Sequence, residues 1–230
     1  MATRIRVWDL PLRVFHWLLA LTILGAMVSG QLGGNLVIWH GRLGILAAGL
    51  VGFRLAWGVV GSTHARFSQF LRGPGAILAY LRGEWQGIGH NPLGALSVLA
   101  LLGVVALQSL GGLFSNDDIA FQGPFYALVS KDTSDWLTGL HRQGFWAVLG
   151  LVLLHLGAVA FYTHVRKEKL VRAMITGDKE VTDPTGLEST HKATPLALII
   201  AVGVGLACAW AASGAWIPPP PPPPVQVPEW

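Results

Sequence analysis

Four of the eight histidines in this 230-residue chain, His16, His40, His141 and His155, fall inside long apolar runs. An ionisable side chain held in such a run is costly and is a functional candidate by default. His141 and His155 are 14 residues apart. On a helix that spacing returns to the same face within about 40° and separates the two rings by roughly 21 Å. Two imidazoles stacked at two depths on one helix suit two planar metal groups arranged one above the other. A porphyrin standing between helices takes one axial imidazole from each side, so each level needs a second histidine from a neighbouring helix.

The elements that must position these rings are membrane spans. Only 12% of the residues are charged and 52% are hydrophobic, against about 25% charged in a soluble domain. Five stretches reach the roughly 20 residues a crossing needs: Val14 to Leu32, Leu36 to Val60, Pro92 to Leu113, Trp136 to Val165 and Pro195 to Trp216. The first has a helix start in Asp9-Leu10-Pro11, an acidic cap followed by proline in the first turn. Successive spans run in opposite directions, so His16 lies toward the side of the N-terminus and His40 toward the other. Depth then pairs His141 with His40, and His155 with His16. Arginines near the ligands fit anionic porphyrin propionates: Arg42 and Arg142 at one level, Arg13 and Arg54 at the other. Arg54 reads equally well as a residue snorkelling from a helix end.

Each histidine also has a plainer reading as a hydrogen-bonded interfacial residue, and it is the spaced pair with two depth-matched partners that argues against it. His164, His64, His90 and His191 are expected to be solvated or interfacial, with His90 or His64 open to a part in proton uptake near a quinone. Most of the ten tryptophans sit near span ends and are explained by the aromatic belt. Gly44, Gly49, Gly52, Gly94, Gly103, Gly144 and Gly150 lie inside spans, where small residues let helices approach with or without a cofactor.

The single cysteine, Cys208, excludes a disulfide framework, an iron-sulfur cluster and covalent haem attachment within this chain. The net charge of +4 does not indicate nucleic acid, because the basic residues border apolar segments instead of forming a patch. They bear on topology. Of 16 Lys and Arg, all but Arg42, Lys131 and Arg142 fall on the side of the N-terminus, which the positive-inside rule makes cytoplasmic. The expected location is a bacterial inner membrane, crossed several times, with the C-terminus periplasmic. The first apolar run lacks a clear cleavage site and is expected to be retained. The segment Thr176 to Thr194 reads as a surface loop, and Pro218 to Pro224 as an extended polyproline rod of roughly 3.1 Å per residue.

Three strings, VWDLPLRVFHW (Val7 to Trp17), WHGRLGILAAGLVGFRLAW (Trp39 to Trp57) and LHRQGFWAVLGLVLLH (Leu140 to His155), together resemble the bacterial cytochrome b(561) family, which includes the hydrogenase-type b cytochromes. The likeness covers roughly residues 5 to 176. It implies a four-helix core with two haem b groups, ligands at His16, His40, His141 and His155, quinone chemistry in the bilayer and a periplasmic redox partner such as a c-type cytochrome or a hydrogenase-like enzyme. The fifth span and proline tail depart from that pattern and suggest a docking or anchoring addition.

The expected fold is therefore all-α, an integral-membrane bundle with a four-helix di-haem core over 1–176, a cytoplasmic linker over 177–194, an extra transmembrane helix over 195–216 and a periplasmic tail over 217–230. The expected function is electron transfer between the quinone pool and a periplasmic protein, as a subunit of an oxidoreductase with or without quinone reductase or quinol oxidase activity of its own. Two other classes stay open. One is a histidine-lined transporter of a transition metal or protons, although the spans contain no Asp or Glu of the kind a transporter would add. The other is a structural anchor that recruits a partner through its fifth helix and tail.

Overall fold

Three of the five long helices start at a side-chain cap followed by proline, where the missing amide hydrogen is not needed. In a computed structural model that describes residues 3–85, 87–181 and 189–218, Asp9 caps α1 (Leu10–Leu32) by accepting from the Leu12 amide at 2.6 Å. Asn91 caps α5 (Pro92–Leu113) through the Gly94 amide at 2.7 Å, and Thr194 caps α8 (Pro195–Ala212) through the Ala197 amide at 3.2 Å. The other two long helices are α2 (Val37–Val60) and α6 (Lys131–His164). All five expected spans are present, and all five helices are long and apolar enough to cross a bilayer.

Helix α2 is the hub, with α1, α5 and α8 packed around it. The contact with α8 is the most intimate. A Cβ added at Gly49 would lie 2.9 Å from Ala209 Cβ and 3.0 Å from the Gly205 carbonyl oxygen, and one at Gly52 would lie 2.5 Å from Cys208 Sγ. The buried residues of α8, Ala197, Ala201, Gly205 and Ala212, recur mostly every fourth position, the small-residue stripe by which membrane helices bring their backbones together. The fifth helix is thus packed into the bundle along its length. Helix α6 behaves differently. It runs beside α5, makes little backbone contact with α1 or α2, and among its 34 residues only Ser134 and Val148 are buried.

The connections hold structure that the sequence did not reveal. Short helices α3 (Phe67–Phe70) and α4 (Pro74–Leu81) lie between α2 and α5, and α7 (Leu170–Thr176) follows α6. The stretch expected to be a plain surface loop contains a strand: β2 (Asp178–Val181) pairs antiparallel with β1 (Thr3–Arg6). Arg6 and Asp178 form an ion pair at 2.5 Å, while Lys169 and Arg172 both bind Glu180. Gly177 makes the turn between α7 and β2 at φ 90°, and a Cβ there would meet the Trp8 carbonyl. Its own carbonyl accepts the Val7 and Trp8 amides. The strands, α3, α4 and α7 mark one end of the bundle, hereafter the strand end. The opposite, loop end carries residues 114–130. Of the expected proline rod only Pro218 is among the described residues.

Candidate cofactor site

Helices α1, α2 and α6 bring the four intramembrane histidines together as two pairs, one at each end. At the loop end, His40 on α2 faces His141 on α6 with their Nε2 atoms 3.4 Å apart and ring centres 5.7 Å apart. At the strand end, His16 on α1 faces His155 on α6 with ring centres 6.4 Å apart. The two pairs span the slot that α6 leaves open toward α1 and α2.

The tautomers at the loop end follow from the backbone. His40 Nδ1 donates to the Ala26 carbonyl at 2.8 Å and His141 Nδ1 donates to the Gln108 carbonyl at 3.0 Å. Carbonyl oxygens only accept, so each Nδ1 carries the proton and each Nε2 of the neutral imidazole presents a lone pair. Two acceptors opposed at 3.4 Å have no proton to share. A metal ion held by both would resolve the conflict, and a carbonyl on the far nitrogen is the usual way a protein orients a metal-binding imidazole. Two metal–nitrogen bonds of about 2 Å each need Nε2 atoms about 4 Å apart, a small opening from the distance observed. At the strand end His16 Nδ1 is buried without a hydrogen-bond partner among the described residues.

The donor count separates the metals. No group of three or more His, Cys, Asp or Glu suited to a metal ion occurs among the described residues. Each pair offers two imidazoles, short of the three or four protein ligands of a zinc site and equal to the two axial positions of a haem, whose porphyrin supplies the rest. A slot with imidazoles on opposite walls fits a planar tetrapyrrole.

Several residues that build this geometry were not singled out from the sequence. A Cβ at Gly30 would lie 2.7 Å from His40 Nδ1, and one at Gly112 would lie 3.1 Å from His141 Cε1, so both glycines make room for the paired histidine rings. Gln108 accepts from His141 Nδ1 through its carbonyl, and its side-chain Nε2 donates to the His141 carbonyl at 3.0 Å. An isolated amide in an apolar span was the available signal for Gln108, whereas a main-chain acceptor such as Ala26 leaves none. The glycines sort by neighbour: Gly49 and Gly52 meet α8, Gly144 makes room for Gln108, and Gly44, Gly103 and Gly150 face open space. Gly44 stands one turn after His40, on the slot side of α2.

The four arginines part company. Arg13 donates to the carbonyls of Asp9 and Ile175 and so ties α1 to α7. Arg42 lies 4.9 Å from the ring centre of Trp39, and both Arg42 and Arg142 are exposed. Arg54 is 2% exposed, packs its guanidinium 4.6 Å from the centre of the Phe67 ring, and keeps Nη1 buried and unpartnered among the described residues. It is a buried residue, not a snorkelling one, because α3 folds over it. Nearby, Asp9 accepts from Trp57 Nε1 at 3.1 Å and from the Ser62 hydroxyl.

His90 is also corrected by the structure. It is not solvated: Trp8 and Phe70 close over it with ring centres 4.6 and 4.5 Å away, and its Nδ1 is buried. Burial, and after it the charges of Arg54 and His64, push its pKa down to about 3. His164 is exposed at the end of α6. The His64 amide donates to Thr190 and the His191 amide to Thr63, which joins the two loops at the strand end.

The model of the prokaryotic cytochrome b561 family matches residues 7–177, a stretch that holds all four paired histidines. The chain belongs to the prokaryotic cytochrome b561 family. This cytochrome b561 is a multi-pass membrane protein of electron transfer and carries haem b. Its relatives include a protein of Azotobacter chroococcum mcd 1, 26% identical over 218 residues that cover 76% of this chain and 88% of the relative. Others come from Azotobacter vinelandii, at 27% identity with 76% and 88% covered, and Rhizobium leguminosarum bv. viciae, at 22% identity with 77% and 89% covered. All three are named probable Ni/Fe-hydrogenase B-type cytochrome subunits. No solved structure matches the chain. Helix α8 lies beyond the residues that the family model covers.

Proposed function

We propose that this cytochrome b561 holds two haems, one between His40 and His141 and one between His16 and His155, and passes electrons between quinone in the bilayer and a redox protein at the loop end. The observation that carries the reading is the pairing of opposed imidazoles at two levels, with the loop-end Nδ1 atoms already committed to carbonyls. Bound haem would supply one-electron redox chemistry; His16, His40, His141 and His155 would hold it, with the loop-end rings oriented by the Ala26 and Gln108 carbonyls. With 13 of the 16 Lys and Arg on the strand-end side, that end is cytoplasmic and the loop end periplasmic. The relatives' names support a hydrogenase as the periplasmic partner, and a c-type cytochrome is the other candidate.

Haem quantification of the purified chain and of single alanine variants tests this. Two haems per chain are expected, with His40→Ala or His141→Ala each removing one and sparing the other. Equal loss of both haems from every variant contradicts the pairing by depth, and a colourless preparation with bound metal supports the transporter instead. The loop end also bears on the partner. Lys131 bridges Asp118 and Asp135 at 2.7 and 2.8 Å. The Asp117 carboxylate, held low by the amides of Phe121, Ile119 and Ala120, folds its own turn. One lysine against four aspartates leaves the loop acidic, so turnover with a basic partner should weaken as salt rises. Turnover insensitive to ionic strength rules out that steering.

A further inference from the structure

Arg54 stands at the level of the strand-end histidine pair. His40 and Arg54 are 14 residues apart on α2, the same spacing as His141 and His155 on α6. Both helices run from the loop end to the strand end, and His40 faces His141, so equal spacing brings Arg54 to the depth of His155 on the same face of α2 within about 40°. The aromatic packing agrees: Phe53, beside Arg54, stacks on Phe15, beside His16, with ring centres 5.9 Å apart. At this depth the side chain is 2% exposed and makes no ion pair within 4.0 Å among the described residues. Asp9, whose charge acts on Arg54, lies about two turns nearer the surface than His16 and accepts from Leu12, Trp57 and Ser62.

A guanidinium stays charged in a protein. A charge out of water acts over distance with little screening, whereas an exposed one is damped. On the loop-end side the cations among the described residues are Arg42, Lys131 and Arg142, all exposed, and Lys131 is paired with Asp118 and Asp135. Reduction of a haem adds a negative charge, so a buried cation nearby favours the reduced form. We propose that Arg54 is a positioning charge that raises the reduction potential of the strand-end haem above that of the loop-end haem. The proposal rests on the two-haem reading given above. It makes transfer from the loop end to the strand end the downhill direction.

Potentiometric titration of the purified full chain, followed by visible absorbance, tests it. The two midpoints are assigned by their disappearance in His141→Ala and in His155→Ala. In the wild type the higher midpoint is expected to belong to the strand-end haem. Arg54→Gln is expected to lower the reduction equilibrium constant of that haem at least tenfold, which is 59 mV for a one-electron couple, and to leave the loop-end haem within threefold. Arg54→Lys, which keeps the charge, is expected to stay within threefold of wild type at both. If Arg54→Gln does not accumulate, the order of the two wild-type midpoints decides alone. Two haems in the reverse order, or an equal shift of both in Arg54→Gln, overturn the proposal and leave the two-haem reading intact. A preparation with a single haem overturns that reading first.

Discussion

Helices α8 and α6 both flank the bundle, and they meet it in opposite ways. Helix α8 closes on α2 until backbone touches backbone: Gly49 and Gly205 approach each other's carbonyls, and Cys208 fills the space above Gly52. Helix α6 leans chiefly on α5 and makes little backbone contact with α1 or α2, leaving a slot across which the paired histidine rings meet. Small residues serve both arrangements, but on α8 they bring helices together, whereas at Gly44 they keep space open. The difference separates a face where the chain packs closely on itself from one that the proposed two-haem reading assigns to a cofactor. A helix with two buried residues in 34 has few of the contacts that hold a bundle together, and under the proposed two-haem reading haem would supply the missing wall.

The comparison can be broken most directly at Gly44. A Cβ there meets nothing within 4 Å, so Gly44→Leu should fold, retain its helical circular dichroism and lose the loop-end haem almost completely. Retention of both haems in that variant would mean that the open space is not the slot. The opposite side answers differently. Gly52→Leu drives a side chain into Cys208 and should destabilise the bundle by about 1–3 kcal/mol through overpacking, visible as a lower midpoint for heat denaturation in detergent, with both haem bands intact at low temperature. A smaller effect separates the strand-end cap from both helices. Asp9→Ala removes the α1 cap, worth about 0.5–2 kcal/mol, and should loosen the Trp57 and Ser62 contacts without changing the haem count.

The mildest prediction concerns pH. His90 is held neutral down to about pH 3, below its ordinary 6.5. The unfolded chain therefore binds a proton that the folded chain refuses, and stability present above pH 6.5 is lost as the pH falls from there toward 3. His90→Gln should flatten that part of the acid denaturation profile; an unchanged profile would assign the acid sensitivity elsewhere.

Much of this architecture was legible in the chain. Five apolar runs, a cap at Asp9, and a basic bias toward one end are one-dimensional signals, because span length, capping chemistry and topology are each set within a few consecutive residues. The spacing of His141 and His155 places them on one helical face by arithmetic alone. The pairing of Thr3–Arg6 with Asp178–Val181 was not legible, since two four-residue strands far apart in the chain carry no local pattern that names the partner. His90 was misjudged for a similar reason: its loop reads as polar, and only the folded chain brings Trp8 and Phe70 over the ring.

The sequence by itself determined a helical membrane protein with four intramembrane histidines at two depths, because hydropathy and helical periodicity are properties of a single strand of residues. The tertiary structure alone decided which nitrogen of His40 and His141 is free, that Arg54 is buried and not at a surface, and that α8 is part of the bundle while α6 stands apart. Each of those depends on which groups from other helices arrive as neighbours: a carbonyl from Ala26, a ring from Phe67, a backbone at Gly205.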